Sequence, residues 1–184
     1  MEKIDNFLLS KFQKFSDFIQ ITFGITSFTI SRMILIIWGF MFILRNMIEF
    51  DENGIKIDPS IISIPVVLLI SFFIWSEIAK AERENKNSPQ FKNFLHVGNY
   101  FARCVSLVFM PIAITIFILS LKDISSLKGF GIYLYAKVSL WEIIAYFLLV
   151  YFISLTPKPP QKSKFKKLVE RLTTLTPEIK TQTV

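Results

Sequence analysis

Four long apolar runs constrain this chain more than any other feature. The clearest is "MILIIWGFMFIL", residues 33–44, which carries no charge. It is bracketed by Arg32 and Arg45. A helix needs about 20 residues to cross about 30 Å of hydrocarbon. Both arginines therefore fall within a first span of about 25–47, snorkelling toward opposite faces. Further spans are predicted at about 60–79, 98–121 and 134–155. Composition agrees: 52% of residues are hydrophobic, only 19% are charged, and mean hydropathy is +0.50. The predicted fold class is all-α, an integral membrane bundle of four transmembrane helices. Amphipathic helices flank it at both cytosolic-side termini.

Three regions follow. Residues 1–22 form an N-terminal amphipathic interfacial helix, 23–156 the four-helix transmembrane domain, and 157–184 a basic cytosolic tail. In the first region Ile4, Leu8, Phe12, Phe15 and Ile19 recur at helical spacing, while Lys3, Asp5, Lys11, Lys14 and Asp17 fall mostly on the other side. No small-residue cleavage site follows a short apolar core, so no signal peptide is expected. In the tail, Phe165, Leu168, Val169, Leu172 and Leu175 recur among Lys162, Lys164, Lys166, Lys167 and Arg171. These cations are candidate contacts for anionic lipid or for a partner.

Punctuation marks the loops. Asn53-Gly54 signals a turn, and Asp58-Pro59 a helix start. Pro65 falls in the second turn of the second span, which continues into "KAERENK". Ser88-Pro89 looks like a cap followed by a first-turn proline. Pro111 lies near the middle of the third span. "GFG" at 129–131 reads as a flexible outer turn, and "TPKPP" ends the fourth span.

The cations set a direction. Of the 21 lysines and arginines, Arg32 lies inside the first span. Fifteen of the others fall on the N-terminal helix, the middle loop (Lys80, Arg83, Lys86, Lys92 and Arg103) and the tail, against five (Arg45, Lys56, Lys122, Lys128, Lys137) on the opposite side. The positive-inside rule then makes both termini cytoplasmic. A bacterial inner (cell) membrane is the expected location. Trp75 and Tyr100 would mark the inner interface, and Tyr133, Tyr135 and Trp141 the outer one.

Glu142 stands inside the fourth span, about two turns from its predicted outer end. Arg45 is its most plausible partner across the bundle; the alternative is an acid lining a path for cations or protons. Arg32, Arg45 and Glu142 are thus the candidate intramembrane polar or ion-path residues. No catalytic, cofactor or metal site is indicated. His96 is the one histidine and Cys104 the one cysteine, whereas structural zinc needs four converging ligands. No phosphate-loop, dinucleotide or nucleophile-elbow string occurs. The sequence therefore favours a non-enzymatic membrane protein, an accessory, scaffold or modulator subunit with a basic cytosolic face. The alternative is an oligomeric channel, pore or transporter-like protein, for instance a bacterial defence effector. Expected partners are the bilayer, anionic lipids, and a protein partner or further copies of the chain. Nucleic acid or nucleoprotein is the minority alternative, because aromatics do not interleave with the basic residues of the tail beyond Phe165.

Overall fold

The computed structural model describes residues 1–46, 48–51, 54–57, 63–88, 90–123, 126–158 and 163–175. Helix α1 spans Glu2–Phe23 and ends at Gly24, whose φ of 79° places it in the left-handed region. Glycine adopts that conformation without a Cβ clash. It also leaves room for Ser163, whose Cβ would lie 3.3 Å from a Cβ at position 24. Four helices are long and apolar enough to cross a membrane. They are α2 (Ser27–Asn46), α3 (Ser63–Asn87), α5 (Tyr100–Ser120) and α6 (Leu127–Ser154). A single turn, α4 (Leu95–Gly98), precedes α5, and α7 (Lys164–Leu175) is the last described element.

The spans form a row and not a closed bundle. Helix α2 packs on α3 and α6, and α6 packs on α2 and α5, while α3 and α5 share no substantial interface among the described residues. The central helices are accordingly the buried ones. Half of the apolar stretch of α6 and 39% of that of α2 are covered, against 17% for each of α3 and α5. Lipid is as apolar as leucine, so burying apolar area does not drive such packing; small residues that let backbones approach do. Ser27 and Ser31 on α2 are fully buried, and the Ser31 hydroxyl donates to the Ser27 carbonyl at 2.9 Å. Leu35, Trp38, Leu149, Tyr151 and Phe152 fill the core between α2, α6 and α1.

Several boundaries differ from the sequence reading. The connection between α2 and α3 is not purely irregular: strands β1 (Ile48–Asp51) and β2 (Gly54–Ile57) pair antiparallel, with Asp51 opposite Gly54. Asn53 of the turn signal and the Asp58-Pro59 signal lie outside the described residues. Helix α3 is described from Ser63 and includes Pro65. It does continue through "KAERENK" to Asn87. Pro89 lies outside the described residues, and residues 91–93 are not helical. The next helical segment instead begins where the Asn93 side chain accepts the Leu95 N–H at 3.1 Å.

The largest difference is in α6, which starts at Leu127 and takes "GFG" into its first turns. The Ser126 hydroxyl caps it by accepting the Gly129 N–H at 2.9 Å. Glycine inside a helix costs roughly 0.5–1 kcal/mol relative to alanine. Here both Gly129 and Gly131 are buried, and tertiary packing overrides propensity.

Candidate functional site

Two charged centres sit along α6, one near its C-terminal end and one near its middle. The first joins α1, α5 and α6. Asp5 and Arg103 are each 98% buried or more and form an ion pair. Arg103 Nε donates to Asp5 Oδ1 at 2.9 Å, and Nη2 donates to Oδ2 at 3.1 Å. The Tyr151 hydroxyl donates to the same Asp5 Oδ1 at 2.9 Å. Arg103 Nη1 donates to the His96 carbonyl at 2.7 Å and to Ser154 Oγ at 2.9 Å. Burying a lone charge is prohibitive, whereas a planar guanidinium facing a carboxylate with further acceptors around it is satisfied.

The sequence reading put Asp5 on the polar side of its helix and Arg103 among the middle-loop cations; both are interior residues. Helix α1 in fact has three faces. Asp5, Leu9, Ser16 and Gln20 point inward, and Phe12 packs on Tyr151 and Phe152. Ile4, Phe7, Phe15 and Phe18 point away from the chain, each more than half exposed. A third side carries Lys3, Ser10 and Lys14, also exposed. The inward stripe repeats at 4, 3, 4 and 4 residues, which is the signal that was available. The phenylalanine stripe obscured it, because nothing local tells which apolar face meets protein and which meets its surroundings.

Two glutamines extend the same junction. The side-chain amide of Gln13 donates to the Thr156 carbonyl at 2.8 Å and accepts the Thr156 N–H at 3.1 Å. Gln20 repeats this with Lys158, at 2.7 and 3.0 Å. Asn93 Nδ2 donates to the Ile153 and Leu155 carbonyls. The chain leaving α6 is thus held by side-chain amides in place of a helical ladder, which satisfies the orphan groups of a helix C-terminus.

The second centre is Arg45–Glu142, the pairing that the sequence suggested. Arg45 Nη1 lies 2.9 Å from Glu142 Oε2. Glu142 is buried, and Arg45 is about a quarter exposed and lies 5.0 Å from the Phe42 ring centroid. The distance qualifies as an ion pair, but the alignment does not make a hydrogen bond: Glu142 Oε2 is buried without a directed donor. Ser139 Oγ, one turn away on α6, is also buried and unpartnered. The early start of α6 changes the position of this acid. It lies fifteen residues into the helix, about 22 Å from its beginning at 1.5 Å per residue, well beyond the two turns expected.

The other predicted residues separate. Arg32 does not join the Glu142 centre. Its Nη2 donates to Glu82 at 2.6 Å, and its guanidinium lies 5.1 Å from the Trp75 ring. Lys86 reaches the same glutamate at 3.3 Å. In the tail, Lys164, Lys166 and Lys167 are exposed, as are Phe165 and Leu168. Arg171 lies in α7, and Lys162 lies outside the described residues. His96 is exposed and contributes its backbone carbonyl to Arg103. Among the described residues no three His, Cys, Asp or Glu side chains cluster as metal ligands.

Compared with family models, with curated proteins and with solved structures, the chain matches none.

Proposed function

We propose that this multi-pass membrane protein is a non-enzymatic accessory, scaffold or modulator subunit, inserted in the bacterial cell membrane with both termini at the cytoplasmic face. The observation that carries this reading is the open row. Helices α3 and α5 leave most of their apolar surface uncovered. The row therefore offers two long flanks on which another membrane component can pack. Exposed Lys164, Lys166 and Lys167 beside Phe165 and Leu168 suit an anionic bilayer surface. The outward phenylalanines of α1 suit the same interface.

A second reading, an oligomeric channel, draws on one specific observation: the buried, undirected Oε2 of Glu142 beside the unpartnered Ser139 hydroxyl. A single row encloses no path, so such a pore would lie between copies. The mass of the complex purified in mild detergent separates the two readings. Co-purification with a soluble or membrane protein supports the accessory role; a closed ring of this chain alone overturns it. Sidedness is tested with thiol reporters in a Cys104→Ser background. A cysteine at Asn85 should label only after permeabilisation and one at Ser126 from outside; external labelling at Asn85 reverses the orientation.

A further inference from the structure

Among the described residues no side chain fills the groove between α2 and α3, and we infer that it holds an acyl chain of an anionic phospholipid whose phosphate is received by Arg32. The inference depends on the cytoplasmic assignment above only for the leaflet the lipid comes from.

The groove measures about 450 Å³, within the range of roughly 300–1,000 Å³ typical of small-molecule sites. Its floor is Leu35, Gly39, Val67 and Ser71, and Trp75 stands at one end. Gly39 makes the depth: a Cβ there would sit 3.6 Å from both Ser71 Oγ and Val67 Cγ1. The rim is bulky. Ile36, Phe40, Leu68 and Phe72 are all at least 60% exposed. A second transmembrane helix packs closely where small residues repeat along both faces. Here the small pair Gly39 and Ser71 sits between aromatic walls, so the notch admits a flexible hydrocarbon chain more readily than a helix backbone.

Charge marks one end of the groove. Arg32, Ile36, Gly39 and Ile43 follow one another along one face of α2, with Arg32 seven residues, about 10 Å, from Gly39. The Arg32 guanidinium lies by Trp75 and makes one hydrogen bond, to Glu82, while its Nε is buried without an acceptor. Arg32 and Lys86 together exceed the single Glu82 they share by one positive charge. A tryptophan at headgroup level, an incompletely paired arginine and an apolar notch below them match a phosphate with its acyl chain.

The test uses the full chain in mild detergent, with dioleoyl phosphatidylglycerol and dioleoyl phosphatidylcholine as probes and retained lipid counted by native mass spectrometry. Such a count needs no sidedness, so it stands whether or not the topology and accessory readings survive. The wild type should retain phosphatidylglycerol in preference to phosphatidylcholine. Arg32→Gln should lower phosphatidylglycerol retention about fivefold, the worth of one cation near a headgroup, and narrow the preference to what the tail lysines supply, while Arg32→Lys keeps it. Gly39→Leu should lower retention of both lipids, and Ser71→Leu provides the same block from α3 if Gly39→Leu does not fold. Equal retention of both lipids by the wild type, or retention unchanged by both groove-filling variants, overturns the proposal. So does a lower oligomer mass on filling the groove with retention unchanged, because the occupant would then be another helix.

Discussion

The two charged centres on α6 use the same chemistry to opposite ends. At Asp5–Arg103, both carboxylate oxygens are engaged, and a tyrosine, a serine and a backbone carbonyl complete the set. At Arg45–Glu142, nine residues away from Tyr151 along the helix, the carboxylate has a cation beside it but no directed donor on Oε2. The lesson is that burial alone does not identify a working charge. The fully buried pair is the one most completely satisfied, so it serves as a fastening. The acid of the other pair is left with one oxygen that no donor satisfies.

Breaking the fastening should have the largest effect. Arg103→Gln leaves Asp5 buried without its cation, which costs roughly 3–5 kcal/mol. Thermal unfolding in detergent should shift accordingly, and the amides of α1 should exchange faster. The double variant Asp5→Asn/Arg103→Gln should recover part of the loss. A full-size loss in the double variant would mean that packing, and not charge, holds α1.

The second centre should respond less. Glu142→Gln and Arg45→Gln should each lower stability, with a coupling near the bottom of the roughly 0.5–3 kcal/mol range expected for contacting residues, because the contact is not aligned. If Glu142 belongs to a conduction path, Glu142→Gln should instead leave stability nearly unchanged and alter ion flux in reconstituted vesicles. Additive losses with no change in flux would defeat both uses of this residue and leave Arg45 merely adjacent.

The smallest effects belong to the glutamine clamps. A neutral hydrogen bond contributes about 1 kcal/mol. Gln20 is buried and Gln13 is more exposed. Gln20→Ala should therefore destabilise more than Gln13→Ala, and hydrogen exchange should quicken most at the Lys158 amide. Equal effects would show that solvent replaces both clamps alike.

Much of the scaffold was legible because membrane spans are local: their length follows from bilayer thickness, and each helix satisfies its own backbone. Arg45 and Glu142 could be paired on paper, since both fall toward the same predicted end of their spans. Arg103 fell among the loop cations because it stands in the first turns of its span, and Asp5 resembled an ordinary solvated charge on a helix with a louder apolar stripe. The seven-residue error at the start of α6 has the same origin. Glycine is disfavoured in isolated helices, and only the buried setting of Gly129 and Gly131 reverses that preference.

What the sequence determined by itself is that four helices of this chain are long and apolar enough to span a membrane. That is a property of consecutive residues. What only the tertiary structure decided is the order of the row, the inward turn of Asp5 and the separation of Arg32 from Glu142. Asp5 and Tyr151 stand 146 residues apart, and Arg32 and Glu82 fifty. Those contacts are chosen when faces are matched across helices, by which polar group finds a partner and which apolar face is left to lipid. No local pattern contains that choice, because the same stripe of phenylalanines suits either protein interior or bilayer.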